Sequence, residues 1–435
     1  EASNMVQNMQ APAGKPRKFL LFQGLMGPFF RRVGIALRKA GYDVYKINFN
    51  GGDQLFWRLP NGIDFTGSRA QWPDFVRKVI REHGITDVML FGDCRPLHRV
   101  AIGICHEMQV RVYVFEEGYI RPDWVTLELD GVNGHSHLPR DSQWYLDRFA
   151  QLPPLEPHSS VPSSFRRRAL EAVAYNAADI LTRWYFRHWN DYRPWHPWIE
   201  GVGWLKRLRN REAAQVRTDA IIAEIKEKAL SYMLFPLQLD ADAQIRLHSE
   251  FKGNEGAIDY VLQSFAHHAP ADLYLLVKEH PLDNGVKDWR RLVMRIARKY
   301  GIQARVRYLE CGDIAQLVHK ARGVVTINST TGTLALASNV PTITLGQAIY
   351  DIPGITYQGS LNDFWRDPPP PDAKIFNAFR RVLIDRCLIE GGFFSEEGLD
   401  MLVRGTLSRI SAPVRPDDGS SFVTSSLERL KAVRR

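Results

Sequence analysis

Residues 272–283 read DLYLLVKEHPLD, a short apolar run that ends abruptly in Lys278, His280 and Pro281. Five residues from Leu273 to Val277 are apolar without alternation, the pattern of a strand covered on both faces, as in a parallel sheet flanked by helices. Pro281 cannot continue a hydrogen-bonded ladder, so the strand must stop there. Lys278 and His280 sit two positions apart and lean the same way at the strand's carboxyl end.

The same alternation extends outward on both sides. YMLFPLQ from Tyr232, a helical pattern from Glu255 to His268, another from Lys287 to Tyr300, VRYLE, GVVTINSTTG and PTITLG complete a second series of βα units. An earlier series starts at Lys18 with KFLLFQG and FFRRVGIALRKAGY, and Gly41 is a natural helix stop. It continues with DVYKINF, a helix from Trp72 to His83, DVMLFGD and RVYVFEEG, a four-strand Rossmann-like half. The fold expected is α/β with two Rossmann-like domains facing across a cleft, where ligands gather beyond the carboxyl ends of the strands.

The expected boundaries follow from composition. Residues 1–17 are polar, lack the apolar core of a signal peptide and read as a disordered terminus. Residues 18–150 form the first domain, 151–213 a helical aromatic and basic linker, 214–360 the second domain, and 361–435 terminal helices and a basic tail after RDPPPPD. Between Phe165 and Arg211 lie five tryptophans (Trp184, Trp189, Trp195, Trp198, Trp204), ten Lys or Arg and four acidic residues. Such a segment either packs on the two domains or presents an interfacial surface to anionic lipid, because Trp beside Arg favours the headgroup region.

The 435 residues exceed what one ordinary core organises. With 45% hydrophobic and 24% charged residues the chain is neither disordered nor integral to a bilayer, since no apolar run reaches the roughly 20 residues needed to span one. Four scattered cysteines without CxxC spacing imply reduced thiols. The net charge of +9 calls for an anionic partner: a nucleotide sugar, a phospholipid surface or nucleic acid. No RNP, KH or zinc-finger pattern supports nucleic acid.

The candidate chemistry lies at strand ends. Ser329, Thr330, Thr331 and Gly332 open a helix after a buried strand and offer hydroxyls and free N–H groups to an anion; an ordinary N-cap explains one of them. Gln238, Asp240 and Asp242 follow another strand. Asp-x-Asp suits a divalent cation or a helix-capping loop equally, and no metal is assigned. In the first half, Glu116 and Glu117 end RVYVFEEG, and adjacent strand positions aim only one of them at a cleft. Asp93, Arg95 and His98 end a neighbouring strand, while Gln23, Gly24 and Gly27 form a first turn too loose for a dinucleotide fingerprint.

In order, Gln-Gly-x-x-Gly-Pro-Phe-Phe, Glu-Glu-Gly-Tyr-Ile-Arg-Pro, Pro-Leu-Gln-x-Asp-x-Asp-x-Gln, Lys-x-His-Pro and Ser-Thr-Thr-Gly resemble the bacterial capsule polysaccharide biosynthesis proteins. Within these the chain is most similar to the KpsS/LipB type of retaining β-Kdo transferase, over about Phe19 to Gly346. The resemblance implies a GT-B-like enzyme that uses CMP-Kdo as donor, needs no further cofactor, and acts on a (lyso)phosphatidylglycerol-type lipid to start a poly-Kdo linker. It implies a cytoplasmic protein, peripheral on the inner face of the inner membrane, working in a capsule biosynthesis or export assembly. Carried over, Gln238, Lys278, His280, Pro281, Ser329, Thr330 and Thr331 hold the nucleotide, and Gln23, Gly24, Arg95, His98 and Arg121 serve the acceptor and sugar. Glu117, Glu116 and Asp93 are the catalytic candidates, with Glu117 standing where relatives have the aspartate of Glu-Asp-Gly. The alternatives from the residues alone are another CMP- or UDP-sugar transferase, or a non-catalytic lipid- or polysaccharide-binding export component.

Overall fold

A computed structural model describes residues 16–190, 195, 197–239 and 242–413. The described residues divide into two α/β units. The first comprises residues 16–139, 154–190 and 383–413, and the second 140–153, 195, 197–239 and 242–382. The boundaries therefore differ from those expected. Residues 140–153 belong with the second unit, the aromatic linker is shared between the two, and the chain from Leu383 onward rejoins the first.

In the first unit, β1 (Lys18–Leu21), β2 (Asp43–Asn48), β3 (Gly62–Asp64), β4 (Asp87–Phe91) and β5 (Arg111–Glu117) are parallel. β6 (Trp124–Leu129) turns back antiparallel on β5. In the second unit, β7 (Tyr232–Pro236), β8 (Tyr274–Lys278), β9 (Val306–Leu309), β10 (Gly323–Thr326) and β11 (Thr342–Thr344) are all parallel. A last strand, β12 (Leu388–Glu390), pairs antiparallel with β6 and brings the first sheet to seven strands. The parallel strands run β3-β2-β1-β4-β5 in one sheet and β9-β8-β7-β10-β11 in the other. Counted from each unit's own first strand, both orders are 3-2-1-4-5, the doubly wound arrangement.

Burial explains the sequence pattern. Leu275 and Val277 of β8 join one core cluster and Leu276 the opposite one, so both faces are covered and the strand reads as a continuous apolar run. In the first unit Phe19, Leu21, Met89, Phe91 and Phe115 pack against Phe29, Val33 and Leu37 of the helix Phe29–Lys39. Leu399, Leu402 and Ile410 of the C-terminal helix Glu396–Ser411 complete that core. The terminal helices expected in this segment thus include one that completes the first unit's core, because the first sheet's face needs its apolar stripe.

The polar terminus is also less loose than expected at its end. Arg17 is 3% exposed, and its guanidinium donates to both carboxylate oxygens of Asp87 at 3.2 and 2.9 Å and to the Ile410 carbonyl at 2.9 Å. A buried carboxylate at the start of β4 requires such a partner. Residues 1–15 lie outside the described residues.

Candidate functional site

In a 3-2-1-4-5 sheet the connections leave strands 1 and 4 in opposite directions, which opens a crevice beyond their carboxyl ends. In the first unit these strands are β1 and β4. Gln23 follows β1, Arg95 follows β4, and Arg95 Nη1 donates to Gln23 Oε1 at 2.8 Å across the switch point. In the second unit the corresponding strands are β7 and β10, followed by Gln238 and Asn328. Gln238 Nε2 donates to Asn328 Oδ1 at 2.9 Å, and Gln238 Oε1 accepts the Asn328 N–H at 3.1 Å. Each unit thus places a glutamine at the equivalent point. Both glutamines stand out in the sequence because they directly follow apolar runs.

The rim of the first unit is a connected polar network. Tyr175, on the helix Phe165–Leu181, donates its hydroxyl to Asp53 Oδ1 at 2.7 Å and accepts from Gln23 Nε2 at 2.9 Å and Asn50 Nδ2 at 3.0 Å. Asn50 caps the short helix Gly51–Leu55 by accepting the Asp53 N–H. The approach of Tyr175 needs a glycine opposite it: a Cβ at Gly52 would lie 2.6 Å from its ring. Asp53, Asn50 and Tyr175 carry no sequence signal for this role. Asn-Gly-Gly-Asp had the form of a helix cap, but nothing local links it to a tyrosine more than a hundred residues on.

Glu116 and Glu117 end β5 in different surroundings. Glu116 is enclosed at the rim, and its Oε1 accepts the Glu117 N–H at 3.0 Å. Burial pushes its carboxyl up to about 7, with the Glu117 N–H and Arg95 opposing the rise. Glu117 is more open, its side chain 43% exposed, and Arg121 reaches its Oε2 at 2.7 Å. The alternation of adjacent strand residues thus separates a carboxyl with a tuned proton from one held by a guanidinium.

Other expected residues sit deeper. Asp93 is 2% exposed, and its Oδ2 accepts from the Val132 N–H at 3.1 Å and His135 Nδ1 at 2.8 Å. Burial raises Asp93, but these bonds and one from Cys94 outweigh it and hold the carboxyl below its ordinary range. Its acceptor capacity is committed to the Val132–His135 turn, so it is placed to support the rim and not to meet a ligand. His98 is 1% exposed, donates from Nδ1 to the Gly92 carbonyl at 2.8 Å, and lies beside Phe22 and Phe49. Burial drives its imidazole down to about 3, so it is neutral and lies beneath the rim instead of facing acceptor. Gly24 is required by Phe30, whose ring would be 2.8 Å from an added Cβ, and no ligand need be invoked for it.

In the second unit, Lys278 is 4% exposed and its Nζ donates to the Glu279 carbonyl at 2.9 Å. Burial lowers its pKa. His280 accepts the Leu282 N–H on Nδ1 at 3.0 Å, so the neutral ring carries its proton on Nε2 as a donor. Burial also lowers the His280 pKa. Pro281 is exposed at the turn. Between Lys278 and His280, Glu279 is pushed by burial to about 7, with Tyr308 donating to its Oε1 at 2.8 Å. Ser329 Oγ accepts the Thr331 N–H at 3.1 Å and donates to Thr331 Oγ1 at 3.2 Å, while Thr330 is exposed. Local capping thus accounts for the Ser329–Thr331 pair, and Thr330 remains open to a ligand. Asp242 lies within 3.2 Å of Gln238 Nε2. Asp240, its partner in the Asp-x-Asp pattern, falls outside the described residues.

The aromatic segment presents apolar surface. On the helix Phe165–Leu181 and just beyond it, Val173, Ile180 and Trp184 share one face at 67, 62 and 75% exposure, with Arg166, Arg168, Arg183 and Arg187 exposed nearby. In the second unit Trp198, Val202 and Leu205 of the helix Pro197–Arg209 are likewise exposed. No described helix is long and apolar enough to cross a membrane.

Residues 86–394 match the family described as "Capsule polysaccharide biosynthesis protein", and the chain belongs to that family. It is 33% identical over 383 residues to the capsule polysaccharide export protein KpsS of Escherichia coli, spanning 87% of this chain and 97% of that one. It is 36% identical over 406 residues to the capsule polysaccharide modification protein LipB of Neisseria meningitidis serogroup A, spanning 90% and 94%. Among solved structures it is similar to the Thermosulfurimonas dismutans KpsC beta Kdo 2,4 transferase, at 14% identity and a TM-score of 0.39, over 84% of this chain and 90% of that one.

Proposed function

We propose that the chain is a GT-B-like glycosyltransferase that moves β-Kdo, with retention, from CMP-Kdo to a phosphatidylglycerol-type lipid at the inner face of the inner membrane. Membership of the capsule family supplies the pathway context. The observation that carries the chemistry is Glu116, a carboxyl at the carboxyl rim of the first sheet whose proton is held near neutrality. A group of that kind is suited to take the acceptor's hydroxyl proton as the new glycosidic bond forms.

In this reading Lys278 and the Nε2 donor of His280 meet the phosphate of CMP. They offset the charge that builds on it as its bond to the anomeric carbon breaks. Glu117 acts either as a nucleophile, whose bond to the anomeric carbon the acceptor oxygen then displaces, or as a negative charge that steadies the anomeric carbon while the acceptor attacks from the face that CMP leaves; either route retains configuration. Arg95 and Gln23 orient the acceptor at the first switch point. No cofactor is required. The exposed faces of Phe165–Leu181 and Pro197–Arg209, apolar and flanked by arginine and lysine, are read as lipid contacts that hold the enzyme where its acceptor lies.

A thermal-shift comparison of CMP, UDP and GDP tests the donor. CMP at about 100 times its dissociation constant should stabilise the protein by roughly 2.7 kcal/mol. Stabilisation by UDP alone would transfer the reading to a UDP-sugar, and no response to any nucleotide would favour a binding component of export.

A further inference from the structure

We propose that Arg207 couples lipid contact by the helix Pro197–Arg209 to the nucleotide affinity of the turn that carries His280. The inference rests on the reading above, in which that turn binds CMP and that helix meets lipid. It adds a regulatory link between the two.

The helix is fastened to its unit along a narrow seam. Gly203 is buried and Arg207 half-buried, whereas Trp198, Val202, Leu205 and Leu208 are 75, 50, 69 and 63% exposed. Gly203 lies against the backbone of the turn. A Cβ at Gly203 would stand 2.4 Å from the Asn284 carbonyl oxygen, and one at Gly285 would stand 2.8 Å from the Gly203 oxygen. One helical turn on, the Arg207 guanidinium reaches three points of the same turn. Nη1 donates to the Asp283 carbonyl, and Nη2 donates to the His280 carbonyl at 3.4 Å and pairs with Glu279 Oε2 at 3.5 Å. The planar fork of arginine makes this possible, and the point charge of lysine cannot reproduce it. Residues 279–285 are thus held from the helix as well as by their own bonds, among them Trp289 Nε1 to Asp283 at 3.1 Å and Tyr308 to Glu279 at 2.8 Å.

A helix whose outer residues are this exposed can respond to whatever covers them. Its exposed residues surround most of the circumference and mix tryptophan and aliphatic side chains with Lys206 and Arg209. Trp198, Val202 and Leu205 fall on one face, opposite Arg207, with Lys206 and Arg209 beside them, the arrangement of a helix that lies in an anionic interface. Immersion would immobilise the helix, and Arg207 and Gly203 would then hold the turn in its binding shape before nucleotide arrives. Ordering achieved by one ligand lowers the entropic cost of binding the second, which is positive coupling.

The test is calorimetric titration of the full chain with CMP, with and without phosphatidylglycerol-containing vesicles, for the parent, Arg207→Gln and Arg207→Lys. The parent should bind CMP at least about fivefold more tightly with vesicles, within the usual range of allosteric coupling. Both variants should sediment with vesicles like the parent yet lose that ratio, and circular dichroism melts check that they are folded. Amide exchange in residues 279–286 should slow on vesicle addition in the parent only. An unchanged CMP affinity in vesicle-bound parent, or a retained ratio in both variants, overturns the coupling. Failure of the parent to sediment with vesicles gives the helix's outer face to a protein partner and also overturns it. Absence of CMP binding under every condition would instead remove the nucleotide reading on which the coupling stands.

Discussion

Replacing Glu116 with glutamine separates a tuned carboxyl from an ordinary strand-end acid. Glutamine keeps the size of the side chain and an oxygen to accept the Glu117 N–H at 3.0 Å, but it cannot ionise. In the folded chain burial raises Glu116 from the ordinary 4.5 to about 7. The native state therefore binds more protons than the unfolded state between those values, and stability falls as pH rises through that window. The contribution is fully present below about 4.5 and is lost by the time pH passes 7. The full shift corresponds to about 3 kcal/mol, and solvent access at the rim reduces the expected effect to about 2 kcal/mol. Glu128 and Glu279, also raised by burial to about 7, slope the same way in both proteins and cancel in the difference. The glutamine variant should match the parent near pH 5 and exceed it near pH 8, by about 4–8 °C in melting temperature for a domain of this size. Scanning fluorimetry across that range measures it. Turnover with CMP-Kdo and a lysophosphatidylglycerol acceptor should fall by about 10²–10⁴-fold, and the acid limb of the rate profile near neutrality should disappear. A melting difference that does not change with pH would refute the enclosure of this carboxyl. Full activity with an unaltered pH profile would refute its role.

Glu117→Gln, which loosens the contact to Arg121, should also lower turnover by about 10²-fold or more while CMP affinity measured by calorimetry is preserved. If only one of the two glutamate variants is inactive, that outcome assigns the essential carboxylate. His280→Ala should weaken CMP binding by about 1.5–3 kcal/mol, the usual loss for a hydrogen bond to a charged group, with little change in melting temperature. Lys278→Ala should weaken CMP binding similarly but also lower the melting temperature, because that side chain is 4% exposed and fills the end of β8; unchanged affinity in both variants would remove them from the nucleotide site. Ile180→Glu, on the 62% exposed face of the helix Phe165–Leu181, should reduce flotation with phosphatidylglycerol vesicles at low salt without altering the melting temperature. Undiminished flotation would return that face to solvent.

Much of the architecture is a local property and was legible in the chain. Strands covered on both faces must be apolar throughout, so the runs at Tyr274, Tyr232 and Arg111 announce themselves, and the polar residue that ends each run marks a carboxyl rim. Lys278, His280, Gln238, Gln23, Glu116 and Glu117 stand at such ends, and residue order alone places them there. Tertiary packing decided the rest, because burial depends on groups remote in sequence. β12 adds a strand to β6 from 259 residues away, measured between Glu128 and Cys387 beside it, and no short window contains that pairing. Tyr175 enters the first rim from 122 residues beyond Asp53, and Arg207 reaches His280 across 73. The sequence shows two adjacent glutamates but not which of them loses its water, and it is desolvation that moves the proton of Glu116 toward neutrality. In the same way, His98 and Asp93 have the residue types of a site, and only the fold shows that both lie beneath it.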